Sequence, residues 1–453
     1  MNYHFIAIGG AVMHNLAIAL HKKGHTVTGS DDEIFEPSRS RLAAHNLLPE
    51  NPGWNPDLIH QDLDSVILGM HARKNNPELK RAQELGVRVY SFPEYLYEQS
   101  KNKKRIVIGG SHGKTTITSM VMHVLREQQI DFDYMVGSKI EGFDTMVKLS
   151  DDAPLIILEG DEYLSSPLDR QPKFHQYNPH MTLLSGISWD HMNVFPTFET
   201  YKKQFQKFLR IATGGGKVFY YDGDPVLGEV VDKSHWSLLK IPYNEHPHSI
   251  ECGRFILDTK YGSIPLALIG AHNMQNLTGA MLLCHELGVE DHDFYKSIQS
   301  FKGAERRQQM LSSANKKSVF LDYAHAPATV EATIRAFKET YPDQKLVACL
   351  ELHTFCNLNL EYLPQFKDSL NESDQAFVYF NPNAVKRKKL PVLDPEKVKQ
   401  QFNKEGLIVH NDSERLVHDL KSLDEDTFVL LIMTSGNFSG IDLHKLAEEI
   451  VTG

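Results

Sequence analysis

The stretch Gly110-Ser111-His112-Gly113-Lys114-Thr115-Thr116 follows a short apolar run, Ile106-Val107-Ile108, and precedes a helical pattern from Ile117 to Arg126. Glycines there let the backbone curl so that its amides face an anion, and a helix N-terminus adds positive partial charge. Lys114 would reach the β- and γ-phosphates of a nucleotide, and the Thr115 hydroxyl would hold Mg2+. The spacing departs from G-x-x-x-x-G-K-[ST], since Ile108 fills the first position and the glycines begin at Gly109. A phosphate site also needs acidic groups from neighbouring strand ends. Leu155–Leu158 runs into Glu159-Gly160-Asp161-Glu162, and carboxylate oxygen suits magnesium, which makes Glu159 a candidate ligand. The next apolar run, Met181–Leu184, leads to Ser188-Trp189-Asp190-His191, a second ligand or an orienting acid.

Further along, Gly270-Ala271-His272-Asn273-Met274-Gln275-Asn276 opens an apolar helix. His272, Asn273 and Asn276 could read an adenine edge, because an amide offers a donor and an acceptor together, although Asn273 also suits a helix cap. Arg306 and Arg307, after Glu305, could clamp phosphate. Taken singly, an acidic cluster is usually a solvated loop and an Asp-His pair usually structural. Their position at strand ends downstream of one phosphate loop favours the functional reading.

Three stretches begin afresh with a buried-strand signal, and they divide the chain into residues 1–101, 102–311 and 312–453. The first reads Phe5–Ile8, a Gly9-Gly10 turn, a helix from Met13 to His21, and Thr26–Thr28 ending at Gly29-Ser30-Asp31. That is the βαβ signature of a parallel sheet. The second carries the phosphate loop. The third opens with Ser318–Leu321 and Asp322-Tyr323-Ala324-His325, a helix Val330–Phe337, and strands Leu346–Leu350, Ala376–Phe380 and Phe428–Met433. The fold class is α/β: an N-terminal Rossmann-like domain, a central P-loop ATPase-like parallel sheet and a C-terminal Rossmann-like domain.

Composition narrows the function. With 48 Lys+Arg against 58 Asp+Glu the chain carries a formal charge of −10, which argues against a nucleic-acid partner. The basic runs Lys101–Arg105 and Lys386–Lys389 read as a solvated linker and loop. Cys252, Cys284, Cys349 and Cys356 are scattered, so neither a disulfide framework nor a structural zinc site is expected. No run approaches the roughly 20 apolar residues of a membrane span, and no signal peptide is expected, which points to the cytoplasm.

In their order these motifs resemble the Mur ligases, enzymes that add amino acids or peptides to UDP-N-acetylmuramate in peptidoglycan synthesis. The resemblance covers nearly the whole chain: Gly-x-x-Gly-Lys-Thr-Thr, Glu-x-Asp-Glu, Asp-His, Gly-x-His-Asn-x-x-Asn, the arginine pair and Asp-Tyr-Ala-His. It implies an ATP- and Mg2+-dependent ligase that forms an amide through an acyl phosphate. Lys114, Glu159 and His191 would be catalytic, with Thr115, Glu159 and His191 on the metal. Gly110 to Thr116, His272, Asn273, Asn276, Arg306 or Arg307, and Asp322 would bind ATP. Gly9, Gly10, Ser30, Asp31, His71 and His325 would bind the substrates. The segment Glu159 to Tyr163 with Leu168-Asp169-Arg170 and Lys173-Phe174, and the end of the last strand, favour the tripeptide L-alanyl-γ-D-glutamyl-meso-diaminopimelate as the amine, with L-alanine as the alternative.

Ala7 stands where relatives commonly carry glycine, Ala326 where a histidine often precedes the proline, and Glu351 to Cys356 where relatives present an arginine loop near the amine. Gln206 holds the position of a lysine that some relatives carbamylate, so no such modification is expected. Two other classes compete. A dinucleotide oxidoreductase would use Gly9-Gly10 and Asp31-Asp32, but the full G-x-G-x-x-G is missing. A non-catalytic nucleotide-binding module would not need Lys114, Glu159 and His191 together.

Overall fold

The computed structural model describes residues 1–234, 237–251, 253–423 and 426–452. Cys252 lies outside them, while Cys284, Cys349 and Cys356 are free thiols in buried positions. The chain divides into two compact units. One comprises Met1–Ile187, Phe198–Asn244 and Gly279–Phe294; the other comprises Ser188–Thr197, Glu245–Thr278 and the remainder from Tyr295.

The first unit holds two sheets. Strands β1 (Asn2–Ile6), β2 (Thr26–Ser30), β3 (Ser65–Leu68) and β4 (Val89–Ser91) form a parallel sheet in the order β2-β1-β3-β4. Its β1 stops at Ile6, two residues earlier than the apolar run suggests. There the chain turns sharply, with Ala7 at φ 68 and the Ala7 and Ile8 amides both donating to the Ser30 carbonyl. The helix Ala11–Lys22 follows.

The second sheet contains β5 (Lys104–Gly109), β6 (Asp133–Met135), β7 (Val147–Lys148), β8 (Leu155–Gly160), β9 (Met181–Leu184), β10 (Lys217–Tyr221) and β11 (Leu239–Tyr243). They run in the order β11-β10-β9-β5-β8-β6-β7, parallel except for the pairing of β7 with β6. The inner strands β5, β8 and β9 are apolar because both faces are covered. Their register sets Gly109 beside Gly160 on one side and Leu184 on the other, so the three strand ends finish on one edge.

The second unit has a small antiparallel sheet, β12 (His248–Glu251), β13 (Arg254–Thr259) and β14 (Gly262–Pro265), that the sequence reading did not anticipate. Its larger sheet contains β15 (Gln309–Ala314), β16 (Lys317–Asp322), β17 (Lys345–Leu352), β18 (Gln375–Phe380), β19 (Ile408–His410) and β20 (Phe428–Met433). The order is β15-β16-β20-β17-β18-β19, parallel apart from β15. One core cluster joins Val319, Val347, Phe377 and Leu430 to Leu446 and Ile450 of the last helix. Strand β15 begins just before the expected 311/312 boundary, and 188–197 and 245–278 also group with this unit. Among the described residues no helix is long and apolar enough to cross a membrane.

Candidate functional site

The phosphate loop leaves β5 at Gly109 and enters the helix Lys114–Glu127. Gly110 lies at φ 129 and Gly113 at φ 76, conformations that favour glycine, and a Cβ on Gly110 would stand 3.0 Å from the Ser185 amide nitrogen. The loop is pinned at both ends. The Ser111 amide donates to the Gly186 carbonyl (3.0 Å), the Ser185 amide donates to the Gly109 carbonyl (3.2 Å), and the Ser185 hydroxyl donates to the His112 carbonyl. Gly113 brings no side-chain cap, and no acidic residue occupies the helix's first turn. The sequence thus keeps competing acceptors away from amides that a phosphate could use.

Two ion-and-hydroxyl contacts complete this edge. Lys114 Nζ donates to the Gly110 carbonyl (2.6 Å) and to Glu162 Oε2 (2.8 Å). The Tyr201 hydroxyl donates to Glu162 Oε1 (3.0 Å) and lies 2.8 Å from Ser111 Oγ. Burial opposes the Lys114 charge, but Glu162, Asp161 and Glu159 outweigh it and hold the ammonium above its usual pKa. His112 goes the other way: burial first, then Lys114, keeps its imidazole below the ordinary value. Thr115 Oγ1 donates to Glu159 Oε1 (2.9 Å), and the Gly137 amide fixes the other oxygen, Oε2, at 2.7 Å. An oxygen pair of this kind fits magnesium. The glycine cradle and lone lysine fit a nucleotide triphosphate.

Glu162, Tyr201, Ser185 and Gly137 were not singled out from the sequence. Glu162 stood within the quoted acidic cluster, but its partner is 48 residues away. Nothing in the local pattern around Tyr201 marks it.

In the N-terminal sheet, the Gly9 amide donates to Asp31 Oδ2 (2.8 Å), so Asp31 closes the turn that Gly9 and Gly10 make. Burial, with help from Asp32, pushes the Asp31 carboxyl up to about 6. Ser30 is buried at the end of β2, and His71 is exposed.

The remaining candidates lie in the second unit, where three strand ends share an edge: Asp322 and Leu350 both pair with Met433. Asp322 Oδ2 accepts from the Gln308 amide (2.8 Å) and Oδ1 from the Ala324 amide (2.7 Å). Asn273 sits inside the helix Ala271–Glu286 rather than at its cap. Its amide donates to the Ile269 carbonyl (2.9 Å) and to Gln308 Oε1 (3.1 Å), and Asn276 donates to Asn273 Oδ1 (3.2 Å). Gln308 Nε2 lies 3.5 Å from His272 Nε2, which makes Gln308 the hub that the sequence reading missed. Arg306 donates to the carbonyls of Thr434 (3.2 Å) and Gly436 (2.6 Å), and Arg307 lies over the Tyr323 ring at 4.7 Å. His191 takes φ 56, and its amide donates to Asp190 Oδ1 (2.6 Å). His325 Nδ1 lies 2.8 Å from the Tyr323 carbonyl oxygen, and burial holds its pKa down. At the end of β17 Glu351, almost fully buried, lies against Thr434 Oγ1 and the Phe438 amide (3.0 Å), with the half-exposed His353 of the following segment 3.6 Å away.

Comparisons with known proteins match three successive regions of the chain. Residues 2–104 match the model of the Mur ligase family catalytic domain, 108–284 that of the Mur ligase middle domain, and 306–436 that of the Mur ligase glutamate ligase domain. The UDP-N-acetylmuramate–L-alanine ligase of Limosilactobacillus reuteri is 30% identical over 395 residues, spanning 83% of this chain and 84% of the relative. The UDP-N-acetylmuramate–L-alanyl-γ-D-glutamyl-meso-2,6-diaminoheptandioate ligase of Haemophilus influenzae is 25% identical over 448 residues, 97% of each chain. In fold, the chain is similar to the crystal structure of a murein peptide ligase from Psychrobacter arcticus, with a TM-score of 0.71 at 21% identity, covering 100% of this chain and 99% of that one.

Proposed function

The chain belongs to the Mur ligase family, and from that premise we propose that it joins UDP-N-acetylmuramate to L-alanyl-γ-D-glutamyl-meso-diaminopimelate in peptidoglycan recycling. Ligases of this family are ATP-dependent and ADP-forming and use Mg2+, so the chain is a carboxylate–amine ligase of that type. The observation that carries the ATP site is the Lys114 ammonium, held between the Gly110 carbonyl and Glu162 at the mouth of the glycine loop.

Charge dictates the roles. A substrate carboxylate must approach the γ-phosphate of ATP, and two anions repel. Lys114 offsets the phosphate charge, while Glu162 and Tyr201 hold Lys114 in place, so the cation is aimed before the reaction begins. His112, kept neutral, adds no further charge at the loop. Thr115 and Glu159 would hold Mg2+, which supplies further charge neutralisation when bound. The carboxylate oxygen bonds to the γ-phosphorus as the bond to the β,γ-bridging oxygen breaks and ADP leaves; the amine then attacks the resulting acyl phosphate, loses a proton, and forms the amide as phosphate departs. We assign Gly9, Gly10, Ser30, Asp31 and His71 to the nucleotide-sugar. For His191, His272, Asn273, Asn276, Arg306, Arg307, Asp322 and His325 we keep the roles that the family resemblance implies.

The Limosilactobacillus reuteri relative, an L-alanine-adding ligase at 30% identity, favours L-alanine as a second reading. Mass analysis of the product formed from UDP-N-acetylmuramate and ATP with each amine separates the two. A tripeptide adduct alone supports the proposal; an L-alanine adduct alone replaces it with the alternative.

A further inference from the structure

Between Tyr163 and Lys173 the chain leaves the C-terminal edge of β8, makes a narrow excursion and returns to where it started. The base is closed by Asp161, whose Oδ1 accepts from the Tyr163 amide (2.9 Å), whose Oδ2 accepts from Lys173 Nζ (2.5 Å), and whose carbonyl accepts from the Phe174 amide (3.1 Å). The two arms are cross-linked: the Lys173 amide donates to the Tyr163 carbonyl (2.8 Å), and the Ser165 amide and hydroxyl both donate to the Gln171 carbonyl (2.8 and 2.9 Å). The tip is tied as well. Asp169 donates its amide to Ser166 Oγ (2.9 Å) and accepts from the Gln171 amide (2.9 Å) and from Gln176 Nε2 (2.6 Å).

All this ordering presents one cation. Arg170 is exposed at the tip, and among the described residues no carboxylate pairs with its guanidinium. The packing of the loop does not require it, since Ser165, Ser166 and Leu164 supply the buried side chains. Glu162, the residue after the closing acid Asp161, is the partner of Lys114. Even fully extended, four residues of arm would span at most roughly 13 Å, which bounds how far the tip can stand from the base of the loop.

We propose that Arg170 is a specificity-determining residue that binds a carboxylate of the amine substrate, remote from the amine that reacts. The inference rests on the ligase reading above. A guanidinium recognises a carboxylate in bidentate fashion, and a backbone fixed in advance loses little entropy on doing so. An arginine carried an arm's length from the strand end suits a longer amine bearing several carboxylates. A free amino acid, whose only carboxylate lies one carbon from its nitrogen, would not span that arm.

The test is steady-state kinetics of phosphate release with the tripeptide, comparing the wild type, Arg170→Ala and Arg170→Lys. Arg170→Ala should raise the KM for tripeptide about tenfold, while the KM for ATP and for UDP-N-acetylmuramate stays within about twofold; Arg170→Lys should recover part of the loss. A tripeptide KM unmoved in Arg170→Ala, or a rise confined to the nucleotide-sugar, overturns the assignment while leaving the ligase reading intact. A wild type that releases phosphate with L-alanine and not with tripeptide overturns the reading itself, and the remote-carboxylate role with it.

Discussion

At the scale of single residues, the chemistry is concentrated in pairs. Glu159 is fixed through both oxygens, one to Thr115 Oγ1 and one to the Gly137 amide, so its position does not depend on a ligand. Glu159→Gln keeps the shape and removes the charge. The Mg2+ concentration needed for half-maximal phosphate release should rise by about tenfold or more, and an unchanged magnesium titration would remove Glu159 from the metal site. Asp31 makes a different, pH-dependent contribution. Its folded pKa of about 6 lies above the ordinary 3.8, mainly through burial, so the fold favours the protonated acid. Its contribution to stability is therefore full below about pH 4 and is lost as the pH rises through about 6. Asp31→Asn should flatten that part of the stability profile, read as the urea midpoint at pH 4.5 against pH 7. An unaltered slope would show that Asp31 does not titrate in this range.

At the scale of elements, the site is an edge rather than a pocket. Strands β5, β8 and β9 end in register, and each contributes one part: the glycine loop, the acidic cluster, and the Ser185–Gly186 turn that pins the loop. Gly110→Ala places a methyl group against Ser185 at a φ that L-residues rarely adopt. ATP binding, measured by calorimetry, should weaken by about tenfold or more while the protein remains folded. Wild-type affinity would mean that the loop tolerates a different path.

Most of this edge was legible in the sequence. Short apolar runs mark β5, β8 and β9, and the residue types after each suggest the chemistry proposed for this edge. What stayed hidden was long-range pairing. Periodicity cannot say that Lys114 meets Glu162, or that Gln308 links Asn273 with Asp322, because those contacts exist only after the sheets form. The turn after β1 was also misjudged in length: the apolar pattern runs on to Ile8, but Ala7 adopts a left-handed conformation and ends the strand. The antiparallel strands β12 to β14 are short and half-polar, and they lack the buried-strand signal that marks β5, β8 and β9.

At the scale of the whole molecule, three parallel-rich sheets account for the three family regions, 2–104, 108–284 and 306–436. The compact units divide the chain differently, because Ser188–Thr197 and Glu245–Thr278 group with the C-terminal sheet although they lie between strands and helices of the central region. In the second unit the Asp190–His191 segment is held by the loop after β17: the Tyr362 hydroxyl donates to the Trp189 carbonyl (3.3 Å). A motif can thus belong to one region by sequence and be positioned by another. In the proposed reaction Lys114 makes the attack on ATP possible. The most direct test is phosphate release from ATP with UDP-N-acetylmuramate and the tripeptide, in the wild type and in Lys114→Ala. The wild type should release one phosphate per amide formed, and Lys114→Ala should lose activity by about a thousandfold, a loss on the order of that for a single group stabilising transition-state charge. Near-normal phosphate release by Lys114→Ala would show that the reaction does not need this cation.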